Sequence, residues 1–207
     1  MRCLAFLLVL LLTGPAAGQL VAPLTTSDGR VACTQGMTGI GRPAAWKAIA
    51  DPEALGGWAL AETAGDATDL RFPLCISEQT LARDLDATLR FKPVSGTRER
   101  TAGLVLRGQS ANDYYVVRAS ALDNSVRLYR VQRGQRSQLV GKDATVKTGQ
   151  WHELRAVLVN DHFDVSLNGM KLFEATDRSL IRVGAVGVWS QADSLTHFGS
   201  LLVAPAR

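Results

Sequence analysis

From residue 57 onward, apolar and polar residues alternate along most of the chain. Leu85, Ala87, Leu89 and Phe91 alternate with Asp84, Asp86, Thr88 and Arg90, the pattern of a half-buried strand. Leu154, Ala156 and Leu158 alternate with Glu153, Arg155 and Val157, and Phe163, Val165 and Leu167 with His162, Asp164 and Ser166. Between these two runs of the same kind only a short turn fits, and Asn168-Gly169 supplies the next one. Shorter apolar stretches at 58–63, 70–76, 171–176, 183–189 and 195–203 complete the set. About a dozen short strands with frequent turn signals predict an all-β sandwich or barrel. No long amphipathic helix competes, and no fixed-period repeat is visible.

The part before residue 57 reads differently. Residues 19–42 are rich in Gly, Thr and Ala without periodicity, which predicts a loosely ordered lead-in. Residues 43–50 fit a short strand or a turn around Trp46. Asp51-Pro52 can open a helical turn, with Asp51 as cap, and Gly56-Gly57 would stop it.

Residues 101–131 are the densest strand pattern. A short loop over 109–112 would pair Arg107 with Tyr114 and Leu106 with Tyr115. A second turn over 120–125 would pair Arg118 with Arg127 and Val116 with Tyr129. In that register Leu104, Leu106, Tyr115, Val117, Val126 and Leu128 share one apolar face. A slip of one residue would mix Val126 and Leu128 with the arginines, so the pattern favours this pairing. The opposite face carries Arg107, Tyr114, Arg118, Arg127 and Tyr129. Tyrosine rings offer a sugar a flat apolar surface with a hydroxyl, and arginines fork onto hydroxyls, carboxylates or phosphates. The same residues also suit an ordinary wet sheet face, with arginine stems lying over the rings.

Residues 1–18 carry a basic start, an apolar run at 4–12 and small residues at 16–18, the organisation of a secretory signal peptide. The apolar run is too short to span a bilayer, and no second one follows. Cleavage would remove Arg2 and lower the formal net charge from +4 to +3, spread along the chain. Nucleic acid binding calls for a concentrated basic face, which is lacking. The expected location is periplasmic or secreted. Cys33 and Cys75 then remain, and an even pair in an oxidising compartment suggests a disulfide. The alternative is a buried free thiol at Cys75, within Leu74-Cys75-Ile76.

Four segments carry a family resemblance: AGLVLR, NDYYVVRASALDNSVRLYRV, GQWHELRAVLVNDHFDVSLNGMKLFEATD and VGAVGVWSQADSLTHFGSL. They resemble the concanavalin A-like (laminin-G-like) jelly-roll superfamily. More narrowly, they resemble exported domains of unknown function related to 3-keto-disaccharide hydrolase domains. The resemblance covers roughly residues 57–203. It implies two stacked antiparallel sheets, with ligands often held on a concave face, here the Arg/Tyr face. The domain division expected is 1–18 signal peptide, 19–56 lead-in tied to the sandwich, and 57–207 sandwich.

Candidate catalysis is thin. Glycoside hydrolases of this fold use a Glu-x-Asp-x-Glu strand. Asp84-Leu85-Asp86 is the nearest match, and it lacks both glutamates. His152, His162 and His197 are scattered, and neither HExxH nor a Gly-x-Ser-x-Gly elbow is present. Asp123-Asn124 and Gln191-Ala192-Asp193 offer loop donors of the calcium type, but turn chemistry explains the same residues. No catalytic residue, metal ligand or cofactor is therefore assigned. Trp189 fits either a sugar-stacking rim or the core, and Trp151 fits packing beneath the turn before it. The expected function is an exported, non-catalytic module binding a glycan or cell-envelope polysaccharide. Its ligand residues would be Arg107, Tyr114, Arg118, Arg127, Tyr129 and Trp189. The alternatives are a glycoside-processing enzyme and a structural envelope protein. The sequence names no protein partner.

Overall fold

The computed structural model describes residue 18 and residues 20–206. The signal-peptide reading of 1–18 falls, apart from Gly18, outside the described residues. The chain forms two antiparallel sheets. The first contains β1 (Leu20–Ala22), β3 (Trp46–Ala50), β4 (Trp58–Glu62), β6 (Leu85–Ser95), β11 (His152–Val159), β12 (His162–Leu167), β13 (Met170–Thr176) and β15 (Leu195–Pro205). Its order is β13-β12-β11-β6-β15-β4-β3, with β1 on the free length of β15. The second contains β2 (Thr34–Gly39), β5 (Arg71–Ala82), β7 (Thr101–Ser110), β8 (Asp113–Ser120), β9 (Ser125–Gln132), β10 (Gln135–Asp143) and β14 (Gly184–Trp189). Its order is β10-β9-β8-β7-β14-β5-β2. The two sheets make the sandwich that the alternation predicts, in the concanavalin A-like jelly-roll form that the resemblance implies.

The core follows from that alternation. Leu85, Ala87, Leu89 and Phe91 of β6 pack with Leu104, Leu106, Tyr115, Val117, Val126 and Leu128 of the other sheet in one buried cluster. The predicted turn at Asn168-Gly169 closes β12 on β13, both residues having positive φ (51° and 78°) as a two-residue hairpin turn requires. Cys33 and Cys75 are bridged, with Cα atoms 5.4 Å apart. The thiol alternative is thereby excluded.

The lead-in is more ordered than its composition predicts. Residues 20–50 supply three strands, and β2 lies directly after the disulfide. Its sequence, TQGMTG, has little to bury. It is an edge strand held by main-chain bonds to β5, so it needs no apolar alternation. Strand β10 was equally invisible for the same reason. The helical turn expected from Asp51 is a tight turn, Ala54 N–H bonding Asp51 O, followed by a 3-10 turn at Leu55–Gly57. Gly56 has φ 75°, a left-handed conformation that stops an α-helix.

Candidate ligand-binding face

Strands β7, β8 and β9 pair as the sequence predicts over most of their length. Leu106 faces Tyr115, Val116 faces both Val105 and Tyr129, and Arg118 faces Arg127. Tyr114, Arg118, Arg127 and Tyr129 therefore share the outer face of the seven-stranded sheet.

Arg107 does not join them. The register shifts between Leu106 and Ser110, and Arg107 takes a left-handed backbone (φ 47°) at the bulge. The bulge turns its side chain away from Tyr114. The guanidinium is fully buried and donates to the carbonyls of Arg83, Leu180 and Asn160 and to the Asp84 carboxylate. Gly184 passes so close that a Cβ there would lie 2.5 Å from the Arg107 carbonyl carbon. Arg107 thus holds three loops together and is buried out of a ligand's reach.

The face that remains is closed upon itself. Phe72, Leu74, Val105, Tyr114, Val116, Tyr129, Val131 and Trp189 form a second buried cluster, separate from the core between the sheets. Trp189 stacks on Phe72 with centroids 5.5 Å apart, and is fully buried, as is Tyr114. Burial pushes the Tyr114 phenol up to about 12 despite its bond to Thr38. Gly103 makes room for Trp189, since a Cβ there would lie 2.8 Å from the tryptophan Cβ.

The sheet itself is curled to make this cluster. The Tyr114 hydroxyl on β8 lies 2.8 Å from Thr38 Oγ1 on the edge strand β2. In a flat sheet those strands would be about 19 Å apart, at about 4.8 Å per strand. Arg136 on β10, the opposite edge, lies over the rings of Phe72 (4.5 Å), Tyr129 (4.8 Å) and Trp189 (5.9 Å). The two edges therefore approach each other across a concave face filled with aromatic side chains.

Charges ring that plug. Arg118 is 5% exposed and pairs with Glu99 (2.7 Å) and Asp123 (3.3 Å). Arg127 lies 3.7 Å from Asp123 and donates to Gln138. Arg136 donates to Gln191 Oε1 (3.0 Å). Burial, and the nearby Arg118, pull its pKa below the usual arginine value. Beside the plug lies an open recess of about 300 Å³, with Leu74 and Ile76 in its lining and Thr34, Gly36, Gln109 and Ser110 at its walls.

The calcium-type loop donors are engaged elsewhere. Asp193 accepts the N–H groups of Thr97, Arg98 and Glu99. Asp123 serves Arg118 and Ser125, and Asn124 accepts Val146 N–H. Among the described residues no group of three or more His, Cys, Asp or Glu side chains converges.

The other sheet carries a cluster that sequence patterning missed. The nearly buried Asp51 accepts His197 Nδ1 (2.6 Å) and Lys92 Nζ (2.7 Å). Burial raises the Asp51 pKa, and those bonds outweigh it and hold the group at about 2. Trp151 packs against Gly199 of β15 with Arg90 and Lys92 over its ring, rather than merely beneath its turn. Only the fold joins residues so far apart in sequence. Among the described residues no hydroxyl is hydrogen-bonded to His197, whose Nδ1 is taken up by Asp51.

The architecture recurs in solved structures. The chain resembles a carbohydrate-binding module, CBM66 from Bacillus subtilis, at 16% identity and a TM-score of 0.65, over 87% of this chain and 99% of that one. A Bacillus subtilis protein of unknown function with a galectin-like fold matches at 12% identity and 0.62, over 90% and 94%. Domain 4 of AbnA, a GH43 extracellular arabinanase from Geobacillus stearothermophilus in complex with arabinotriose, matches at 14% and 0.54, over 83% and 82%. No protein-family model matches the sequence, and no curated protein does. These likenesses define the fold.

Proposed function

We propose that the protein is an exported, non-catalytic carbohydrate-binding module acting on a glycan or cell-envelope polysaccharide. The observation that carries this reading is the likeness to a carbohydrate-binding module along 99% of that module's length. The bridge between Cys33 and Cys75 fits an oxidising compartment, and no helix among the described residues is long and apolar enough to cross a membrane. Of the carboxylates at the concave face, Glu99 and Asp123 are committed to Arg118 and Glu78 stands apart at the recess wall, an arrangement that favours recognition over hydrolysis. We take residues 19–207 as one working unit, because strands before residue 57 are bonded into both sheets.

The ligand surface in this reading is the concave side of the seven-stranded sheet. Tyr114 and Trp189 act there as buried support. The accessible contacts are Arg127, Arg136 and the recess walls at Gln109 and Ser110. A structural envelope protein without a small ligand is the second reading, favoured by the closure between Thr38 and Tyr114. Screening residues 19–207 on a glycan array decides between them. Binding, with exchange protection at the β7–β8 tip and the β9–β10 hairpin, supports the module. Absence of any glycan above background overturns it in favour of the structural role.

A further inference from the structure

The cations of the concave face are unequally served. Three guanidiniums, Arg118, Arg127 and Arg136, stand beside Glu99 and Asp123, and a third carboxylate, Glu78, lies at the recess wall. Glu99 is spent on Arg118, and Asp123 is shared between Arg118 and Arg127. Among the described residues no carboxylate pairs with Arg136, and its sole hydrogen bond runs to the neutral amide oxygen of Gln191. Half-buried cations normally have an anion close by, because losing water without gaining a counter-charge is costly.

Arg136 is nevertheless held in place. Three aromatic faces lie beneath its guanidinium, an arrangement that attracts the cation and fixes its plane. The two-residue turn Arg133-Gly134 (φ 51° and 75°) sets the β9–β10 register that delivers it there. Arginine has five N–H donors in a rigid fork. Among the described residues the Nε and Nη2 atoms of Arg136 have no hydrogen-bond partner, and neither is among the sealed, unsatisfied nitrogens, so both reach solvent. The side chain is therefore a pre-oriented fork at the mouth of the concave face, without a direct ion-pair partner among the described residues.

We propose that Arg136 is the anchor for the carboxylate of an acidic sugar, so that the module's ligand class is uronic-acid-containing polysaccharide. This rests on the carbohydrate-binding reading above and narrows it. The planar guanidinium matches a planar carboxylate through two parallel hydrogen bonds. The bound acid would also supply the ion-pair partner that Arg136 lacks among the described residues. The aromatic plug, which closes the face to a deeply inserted ring, here serves as the platform that positions the cation.

The test is isothermal titration of residues 19–207 with oligogalacturonate, a neutral galactan oligosaccharide and a sulfated galactan oligosaccharide. The variants are Arg136→Gln, which keeps much of the stacking area without the charge, and Arg90→Gln, which removes an equal charge from the opposite sheet. Thermal unfolding of both variants verifies that they are folded. The expectation is preference for oligogalacturonate, with affinity falling about tenfold or more in Arg136→Gln, the scale of a lost charge-assisted hydrogen bond, and unchanged in Arg90→Gln. Equal binding of the sulfated and uronate ligands overturns the carboxylate assignment. Binding of the neutral glycan alone overturns the inference and leaves the carbohydrate-binding reading standing. Binding of none of the three, together with a blank glycan array, overturns both. Equal loss in Arg90→Gln reduces the effect to net charge and overturns the role of Arg136.

Discussion

Thr38 Oγ1 and the Tyr114 hydroxyl meet at 2.8 Å, joining an edge strand to a strand four places away in the same sheet. Thr38 also bonds the Ala111 carbonyl at the β7–β8 tip, and a carbonyl can only accept. The Thr38 proton therefore goes to Ala111, and Tyr114 donates to Thr38. That order sets the outcome of two substitutions. Tyr114→Phe removes one bond and leaves Thr38 satisfied, at a cost of about 1 kcal/mol. Thr38→Val strips the partner from both the phenol and the carbonyl, at about 2–4 kcal/mol. Urea unfolding should rank Thr38→Val as clearly the more damaging, and the reverse order would contradict this donor assignment.

Arg71 and Glu62 form the most deeply buried ion pair among the described residues. Their side chains are 0% and 1% exposed and lie 2.8 Å apart. Arg71 also donates to the carbonyls of Arg42, Pro43 and Ala192, so one guanidinium ties β5 to two loops. Glu62→Gln leaves a sealed cation with only Asp66, 4.0 Å from its Nε, as counter-charge, and should cost about 3 kcal/mol, the lower end of the range for breaking a buried pair. The pair of Arg155 and Asp86 is shorter still, at 2.6 Å, but its side chains are 48% and 24% exposed. Asp86→Asn should cost no more than about 1 kcal/mol. Denaturant midpoints compare the two directly, and similar losses would refute the argument from burial.

The two-sheet fold and the Tyr114/Arg118/Arg127/Tyr129 face were legible because period-two alternation fixes both register and facing. What escaped the pattern did so for physical reasons. Strands β2 and β10 lie at sheet edges, where main-chain bonds suffice and side chains carry no period. Arg136 belongs to β10, so the most suggestive cation on the face went unread. Its signal was the Arg133-Gly134 turn, which sets Arg136 opposite Val131. The error at Arg107 is of another kind: a bulge adds residues that no alternation reports, and the side chain changes sides. Curling, too, is hidden from any single strand, so a face that reads as an open floor is a filled one.

The disulfide should matter most for β2. The bridge closes a separation of 42 residues and leads straight into that strand. In the chain-entropy description such a loop is worth about 4 kcal/mol. Because β2 is an edge strand with little buried apolar surface, its amides at Thr34–Gly39 should lose exchange protection first when Cys33 and Cys75 are reduced. The Thr38–Tyr114 bond would go with them. Hydrogen exchange before and after reduction measures this. Uniform loss of protection across both sheets would show instead that the bridge supports the whole sandwich equally.

Acid should destabilise the fold through a small set of carboxylates. Asp51, Asp66 and Asp193 are all held at about 2, below their ordinary value of 3.8. The Arg42 amide and the Thr68 hydroxyl account for most of the effect at Asp66. At Asp193 burial pushes upward, but the amides of Thr97 and Glu99 and the Thr97 hydroxyl outweigh it. A depressed folded-state value means that the unfolded chain takes up protons first as pH falls. The stabilisation is therefore complete well above 3.8 and is lost as pH drops through that value toward 2. Urea midpoints should hold steady between neutral pH and about 5, then fall steeply between about 4 and 2. Asp193→Asn should start from a lower midpoint and show a shallower fall over the same window, because one of the titrating groups is gone. An unchanged slope in that variant would remove Asp193 from the account, and a flat profile in the parent chain would remove all three.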